Sequence, residues 1–364
     1  MPSHLYVHIP FCHRICPYCA FFKHTPGRTD MRGFVEGLIR EAELRLPEGY
    51  APETIYFGGG TPSMLSPTHL GRLVEGLRRR LDLSGLREWS FEANPATFHA
   101  AKAAQWAALG ITRVSLGAQS FEPELLHVLG REHSAEQIAE SVRLLREAGI
   151  AQVNLDLMFS LPGQSLEQWR HSLEAALELA PDHISTYNLT YEEDTAFFDA
   201  YGARGGDEER DAAMFELADD LLAAAGMRHY EISNYARPGC ESLHNFATWR
   251  GEDYHGLGPG AYGTVEGVRY HNGEDTAAYI AALAQGHLPP GEQEHLTPEQ
   301  RRTEMLGLRL RTDEGLPAVF LRPQDADFTR MLQREGLAEF NEAGALCLTR
   351  SGRLVADEVA LGLM

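Results

Sequence analysis

The chain lacks the features of several large classes of protein. It has no excess of positive charge, since 32 Lys and Arg face 52 Asp and Glu for a formal net charge of −20 at pH 7. A nucleic-acid partner requires a basic face that this composition does not offer. No apolar run approaches the roughly 18 residues of a membrane helix, and the start MPSHLYVHIP does not resemble a secretion signal. We therefore expect no nucleic-acid partner, no transmembrane segment and a cytoplasmic location.

The chain also lacks a set of cysteines that could form a disulfide framework. It has five, an odd number, and three of them, Cys12, Cys16 and Cys19, lie within the stretch FCHRICPYCAFF. Three thiolates suit a soft metal or an iron–sulfur cluster, and on a four-iron cluster they leave one iron open to a ligand that is not protein. Zinc with His8 or His13 as fourth ligand is the alternative. The other two cysteines are expected to be structural thiols.

Short β-rich runs alternate with helical segments along the first half of the chain. The strand-like runs are HLYVHIPF, ETIYFGGG, REWSFEANP, ITRVSLGAQS, QVNLDLMFSLPG and HISTYNLT. Between them, segments such as MRGFVEGLIREAELRL repeat apolar residues at helical spacing. This α/β pattern predicts a parallel sheet covered by helices, either an open doubly wound sheet or a complete or partial barrel. About six units are fewer than the eight of a closed barrel, so we favour a partial (β/α)6 TIM-like barrel whose strand order the pattern does not give.

The character of the chain changes twice after the last of these units. We predict a barrel domain over residues 1–235, a connecting segment over 236–295 and a small, mainly helical domain over 296–364. The connecting segment contains DYHGLGPGAYGTVEGVRYHNG, which is typical of a structured loop or a short hairpin. The last domain begins with Thr297 as a helix cap and Pro298 in the first turn. Its end, two short strands around NEAGA followed by a helix, is compatible with a winged-helix-like arrangement.

Polar groups mark one edge of the predicted sheet. The cysteines follow the first strand, and GGGTPS at 58–63 follows the second, where glycine lets the backbone approach a ligand closely. Glu92 and Asp156 stand within otherwise apolar strands, where a carboxylate is costly unless it is paired or hydrogen-bonded. Gln119 and Arg131 follow another strand, and together these groups could line one polar pocket. A glycine-rich turn and structural ion pairs are the alternative interpretations.

The Cys-x3-Cys-x2-Cys spacing, with Tyr18 before the last cysteine and GGGTPS after the next strand, resembles the radical S-adenosylmethionine (SAM) superfamily. Over nearly the whole chain, YVHIPFC, YFGGGTPS, FEANP, RVSLGAQSF, NLDLMFSLPGQ and YEISNYA resemble the oxygen-independent coproporphyrinogen III oxidase family and its close relatives. The resemblance implies a radical SAM barrel, a [4Fe-4S] cluster on Cys12, Cys16 and Cys19, and a tyrosine, Tyr6, against that cluster. It also implies SAM contacts by Gly59, Gly60, Thr61, Glu92, Gln119, Arg131 and Asp156.

That family contains oxidases, which decarboxylate coproporphyrinogen, and relatives that act as haem chaperones. In the oxidases a further cysteine stands two positions after the third ligand, but here that residue is Phe21, and only eleven residues precede Cys12. Radical chemistry requires a site that excludes water and side reactions. We therefore expect a haem chaperone, with the oxidase as the enzyme alternative and a structural zinc protein as the non-enzymatic one.

The stretch HNFATW resembles the His-Asn-x-x-Tyr-Trp motif of those haem chaperones. By that resemblance, His244 could be an axial ligand of haem iron and Trp249 could offer an aromatic face to the macrocycle. Thr248 stands where the motif has tyrosine, so no phenol is available there, and a structural histidine is the alternative. The expected partners are haem and haem-acceptor proteins. Respiratory enzymes are candidate acceptors, and such a partner could hold the protein at the periphery of a membrane.

Overall fold

Six parallel strands in chain order form the wall of a partial barrel. The computed structural model describes residues 2–202 and 207–364. The six strands are β1 (His4–Ile9), β2 (Thr54–Gly59), β3 (Glu88–Ala93), β4 (Arg113–Gln119), β5 (Gln152–Phe159) and β6 (His183–Asn188). Each pairs in parallel with the next, while β1 and β6 pair with other strands on their free sides. The predicted partial barrel is confirmed, and the structure supplies the strand order.

Helices follow the strands, and most of them pack on the outside of this wall. They are α1 (Met31–Arg45), α2 (Pro67–Arg80), α3 (Ala100–Ala108), α4 (Pro123–Val128), α5 (Ala135–Glu147), α6 (Leu166–Glu178), α7 (Ala196–Tyr201) and α8 (Glu208–Ala224). Of these, α4 and α7 share a separate apolar cluster beside the cysteine loop. A short 3-10 turn, Pro62–Met64, follows β2. Ser134 and Ser165 open α5 and α6 with capping boxes, in which serine and a glutamine three residues later satisfy free backbone amides. Sequence-local signals therefore fix where these helices begin.

The two faces of the strands differ in polarity because successive side chains of a strand point to opposite sides. Leu5, Val7 and Ile9 are fully buried in the core shared with the helices. The alternate positions carry polar groups into the barrel, namely Tyr6, His8, Tyr56, Ser90, Glu92, Ser115, Asn154, Asp156, His183 and Ser185. Most (β/α) barrels fill this space with branched aliphatic residues. In this protein the barrel interior carries polar side chains instead, which suits it to a ligand with polar groups.

The sheet continues beyond both ends of the barrel wall. The added elements are β7 (Arg228–Glu231), β8 (Asn234–Ala236), α9 (Leu243–Trp249), β9 (Tyr254–Leu257), β10 (Tyr262–Val265), β11 (Val268–Asn272), α10 (Thr276–Ala284) and β12 (Gly291–His295). The segment predicted as a loop or hairpin forms β9, which pairs in parallel with β1, and the β10–β11 hairpin. The twelve strands run in the order β12-β11-β10-β9-β1-β2-β3-β4-β5-β6-β8-β7. The segment expected to connect two domains thus adds strands to the main sheet.

A smaller unit follows, with α11 (Pro298–Arg309), α12 (Ala326–Arg334), β13 (Ala338–Phe340), β14 (Leu346–Leu348), α13 (Arg350–Arg353) and α14 (Ala356–Gly362). Thr297 caps α11 as predicted, in a capping box with Gln300. The antiparallel β13–β14 hairpin lies where the sequence predicted two short strands, and the unit has its own apolar core. The three-domain division stays a prediction, and residues 1 and 203–206 of its first domain lie outside the described residues. Among the described residues no helix is both long and apolar enough to cross a membrane.

Candidate functional site

A cavity of about 450 Å³ opens at the carboxyl ends of the barrel strands. Cys12, Cys16 and Cys19 lie at its mouth, in the loop between β1 and α1. That is the end of the strands at which (β/α) barrels build their active sites. Its volume lies within the range of about 300 to 1,000 Å³ typical of ligand pockets. Phe21, at the position where the oxidases have a cysteine, also lines the mouth and is 71% exposed.

Each cysteine of the loop contacts a polar group. Thr61 Oγ1 donates to Cys12 Sγ at 3.5 Å, and Arg131 Nη1 donates to Cys16 Sγ at 3.5 Å. Lys23 Nζ donates to the carbonyl oxygen of Cys19. Burial raises the pKa of the Cys12 and Cys19 thiols. Donors aimed at sulfur and a nearby cation favour thiolates, which are the form that binds iron or zinc.

The three thiols do not form a site for a single metal ion. Within 2–202 and 207–364, no group of three or more His, Cys, Asp and Glu side chains is placed to hold one ion. His8, a candidate fourth zinc ligand, is engaged elsewhere: its Nδ1 accepts from the Tyr6 hydroxyl at 3.0 Å, and its Nε2 faces the carbonyl oxygen of Phe22 at 2.9 Å. His13, the other candidate, is exposed and lies 3.8 Å from Glu132.

Arg131 places a charged guanidinium between the cysteine loop and the barrel. Its Nη2 donates to Asn94 Oδ1 and to the Gly117 carbonyl, both at 2.6 Å. Its Nε is buried and has no partner among the described residues. Because a buried donor without an acceptor is costly, this orphaned N–H next to the cavity is a group that an anionic or carbonyl ligand could satisfy.

Glu92 lies on the inner face of β3 and receives two hydrogen bonds. Tyr56 donates its hydroxyl to Glu92 Oε1 at 2.8 Å, and the Gly59 N–H donates to Oε2 at 3.1 Å. Burial raises the pKa of Glu92 to about 7, against these two hydrogen bonds, which lower it. The side chain can therefore change protonation near neutral pH.

Asp156 is held from β5 by a network of neutral groups. Ser115 Oγ donates to Oδ2 at 2.8 Å, and Asn154 Nδ2 donates to Oδ1 at 2.7 Å. His183 Nδ1 donates in turn to Asn154 Oδ1 at 2.6 Å, and its Nε2 accepts from the Tyr230 hydroxyl at 2.8 Å. Burial raises the pKa of Asp156 and lowers that of His183. Neither Glu92 nor Asp156 lies in an ion pair, so both carboxylates remain available to hydroxyl or ammonium groups of a ligand.

The glycines at the end of β2 allow close backbone packing that requires no ligand. A Cβ on Gly59, where φ is +107°, would lie 2.4 Å from the His8 ring. A Cβ on Gly60 would lie 2.7 Å from the backbone carbon of Pro10, just before the cysteine loop. Both glycines and Thr61 also line the cavity. The glycine run therefore lets β2 and the cysteine loop pack together at the cavity wall.

The other predicted residues take more varied positions. Gln119 lines the cavity from the end of β4, at φ +68°, where the pairing with β5 is irregular. Tyr6 lies deeper in the barrel than the cavity lining. Its ring is 6.1 Å from that of Tyr56, and its hydroxyl donates to His8 Nδ1. Sequence reasoning missed Tyr56 and Asn94 as site residues. Tyr56 lies two positions before Gly58 and Asn94 two after Glu92, so alternation along β2 and β3 would have found them.

His244 lies inside the barrel, at the end opposite the cysteines. Its Nδ1 lies 2.8 Å from Thr54 Oγ1, and Thr54 Oγ1 lies 2.8 Å from His4 Nδ1. His4 Nε2 lies 3.0 Å from the Glu252 carboxylate, which can only accept. His4 Nε2 must therefore carry the proton, which leaves His4 Nδ1 as an acceptor for the Thr54 hydroxyl. The Thr54 oxygen in turn accepts from the N–H at His244 Nδ1. Burial and the nearby His4 lower the pKa of His244 to about 3, so the ring is neutral and its Nε2 carries a lone pair.

The other predicted haem residue faces a different environment. Trp249, at the end of α9, packs with Tyr230, Ala236 and Phe246, whereas His244 packs against rings of β1 and β2. His244 is 5% exposed. The structure therefore does not present the two side chains on one open surface.

These observations define a class of protein. A six-stranded partial barrel, three cysteines in its first βα loop and a polar cavity behind them are the architecture of a radical SAM protein. The sequence profile of the Radical SAM superfamily matches residues 6–176. The solved structure of coproporphyrinogen III oxidase (HemN) from Escherichia coli, described as a radical SAM enzyme, superposes with a TM-score of 0.82 at 24% identity, over 100% of this chain and 90% of that one, which shows the shared fold.

Relatives narrow the class to a family. The chain is 35% identical to the heme chaperone HemW of Bacillus subtilis over 97% of each chain. It is 36% identical to HemW of Mycobacterium tuberculosis over 100% of this chain and 95% of that one, and 40% identical to HemW of Escherichia coli over 72% and 70%. The chain belongs to the HemW family of radical SAM proteins.

Proposed function

We propose that this protein is a haem chaperone that binds a [4Fe-4S] cluster and SAM, and that it transfers haem to acceptor proteins. The observation that carries the proposal is the cavity in which three cysteines, two carboxylates without ion pairs and Arg131 with an unsatisfied Nε–H meet. Similarity to proteins named heme chaperones supports haem as the molecule that is bound and transferred. Candidate acceptors are respiratory enzymes, through which the protein could lie at a membrane periphery.

The chain's own groups fit these cofactors. Cys12, Cys16 and Cys19 would ligate three irons, and the fourth iron would supply an open coordination position for the amino and carboxylate groups of SAM. Arg131 would bind the carboxylate of SAM, while Glu92 and Asp156 would accept from its hydroxyl or ammonium groups. Gly59, Gly60, Thr61 and Gln119 would form the remaining wall, and Tyr6 would support it from below.

The haem site is proposed at α9, with His244 as axial ligand and Trp249 as an aromatic contact. The neutral ring of His244 has the lone pair at Nε2 that iron ligation requires. Because the side chain is 5% exposed, ligation requires α9 to move away from β1 and β2. His244→Ala should then weaken haem binding and change the haem absorbance spectrum. Unchanged affinity and spectrum would place haem elsewhere.

The function is tested by one anaerobic comparison on the reconstituted protein. Haem is titrated by absorbance, and a parallel sample receives coproporphyrinogen III, SAM and a reductant. We expect stoichiometric haem binding without decarboxylation, since Phe21 replaces the additional cysteine of the oxidases. Turnover to protoporphyrinogen would instead support the oxidase alternative.

The cluster ligands are tested separately. Replacing Cys12, Cys16 and Cys19 together with serine should abolish the iron–sulfur absorbance and the acid-labile sulfide. The matched control is Cys240→Ser, since this thiol lies outside the cavity lining. A triple variant that retains the full cluster would refute the ligand assignment, and zinc without sulfide in the wild type would support the structural zinc alternative.

A further inference from the structure

We propose that His244 is a positioning residue for the SAM cavity: its ring supports Tyr56, whose hydroxyl in turn holds the Glu92 carboxylate. This role is distinct from haem ligation. Its consequence for SAM rests on the proposed function, whereas its effect on Glu92 does not.

The contacts form one continuous column through the barrel. The His244 ring lies 5.2 Å from the Tyr56 ring and 6.5 Å from the Tyr6 ring, tilted by 31° and 32°. Tyr6 and Tyr56 stack at 6.1 Å. Tyr56 then donates to Glu92 Oε1 at 2.8 Å. Tyr56 therefore connects His244 of α9 to the Glu92 carboxylate in the cavity wall.

The base of this column is fixed on two sides. His244 Nδ1 bonds Thr54 Oγ1 at 2.8 Å. The carboxylate of Glu88 accepts from the backbone N–H groups of Leu243 and His244 at 2.9 and 3.2 Å, and from Ser90 Oγ at 3.0 Å. These hydrogen bonds tie α9 to β2 and β3 and hold the His244 ring where the Tyr6 and Tyr56 rings contact it.

Removal of the ring would leave a void beneath two tyrosines. Packed cores relax only partly around such a void, and a small displacement of Tyr56 is enough to lose a hydrogen bond that depends on distance and angle. Glu92 would then retain only the Gly59 N–H as a donor. Among the described residues, the other titratable groups that act on Glu92 are Asp156 from β5, Tyr187 from β6 and Tyr6 from β1. Tyr6 also contacts the His244 ring, but its hydroxyl bonds His8 and not Glu92.

Two substitutions separate this role from iron ligation. His244→Ala removes both the ring and the ligand atom, whereas His244→Phe retains a ring that can support Tyr56 but cannot ligate iron. Phe246→Ala is the matched control, because Phe246 is a buried ring of the same helix that packs on Tyr230 at 5.5 Å and not on the column.

The first readout requires no cofactor activity. In full-length protein labelled with 13C-glutamate, the Glu92 signal, assigned with Glu92→Gln, is titrated by NMR. Loss of the Tyr56 donor disfavours the carboxylate form, so His244→Ala and Tyr56→Phe should both move the Glu92 titration to higher pH. The double variant should move it no further than either single variant. His244→Phe and Phe246→Ala should titrate as the wild type does.

The second readout is SAM affinity of the cluster-loaded protein, followed by the change that SAM causes in the cluster spectrum. His244→Ala should bind SAM about tenfold more weakly, because a displaced Glu92 would lose one charge-assisted hydrogen bond to SAM. His244→Phe should bind SAM with nearly the affinity of the wild type. A wild type that fails to bind SAM would refute the proposed function, yet the titration would still test the column. An unmoved Glu92 titration in His244→Ala, or an equal shift in Phe246→Ala, would overturn the inference.

Discussion

At the scale of single residues, buried carboxylates that lie in no ion pair distinguish this barrel. Glu92 and Asp156 lie on the inner face of the sheet and receive only neutral donors. Burial raises the pKa of each, and perturbed acids of this kind concentrate at functional sites because a purely structural role would favour neutral side chains. The cavity therefore retains acids at a cost in stability.

That cost predicts a stabilising substitution. Below about pH 4.5, Glu92 is protonated in both the folded and the unfolded protein. Between pH 4.5 and about 7, the carboxyl group loses its proton in the unfolded protein but keeps it in the folded one. The contribution of Glu92 to folding stability therefore falls as the pH rises through this range. Glu92→Gln should therefore stabilise the protein by an amount on the order of 3 kcal/mol at pH 8 and by much less at pH 5, while weakening SAM binding. Urea unfolding at the two pH values measures this, with exposed Glu48→Gln as control. An equal effect at both pH values would contradict it.

At the scale of elements, the site depends on how closely the ends of β1 and β2 approach each other. The sequence predicted the six strands and the glycine run, because alternation and glycine are local signals. It did not predict that Gly60 abuts the backbone of Pro10 and Phe11, since that contact exists only once β1 and β2 pair in register. The irregular end of β4 at Gln119 was missed for the same reason.

Gly60→Ala should displace the cysteine loop. The new Cβ would meet backbone atoms of Ile9, Pro10 and Phe11 at 2.7 to 2.9 Å, and backbone cannot yield without moving Cys12. We expect a marked loss of iron and sulfide after reconstitution. Gly71→Ala in α2 is the control, because its Cβ would meet nothing closer than 3.6 Å and alanine favours helix. Full cluster content in Gly60→Ala would show that the loop tolerates the shift.

At the scale of the whole molecule, the barrel and the C-terminal unit have separate apolar cores, and Ile232 from the turn between β7 and β8 packs against the smaller one. Between them, Ile232 N–H donates to the Arg311 carbonyl at 2.8 Å, Asp313 N–H donates to that of Tyr230 at 3.0 Å, and Arg350 pairs with Asp219 at 3.4 Å. Units with separate cores can unfold separately.

Leu332→Ala tests this division. Leu332 is 1% exposed in the smaller core, so truncation should cost about 2 to 5 kcal/mol there. We expect a lower first unfolding transition with the cluster absorbance retained through it. Leu361→Ala, at a position 67% exposed in the same unit, should leave the transition unchanged. Simultaneous loss of the cluster and the C-terminal helices would show instead a single cooperative unit.

The sequence by itself determined the class of fold, the three cysteines and the cap of α11 at Thr297, because periodicity, spacing and capping are properties of neighbouring residues. It also placed Glu92, Gln119, Arg131 and Asp156 on cavity-forming segments. Only the tertiary structure decided that β9–β12 join the main sheet and that Tyr56 and Asn94 line or support the cavity. It alone placed His244 beneath that cavity. These contacts join residues up to 250 positions apart, as in the pairing of His4 with Tyr254, and a local pattern carries no information on which distant segments meet.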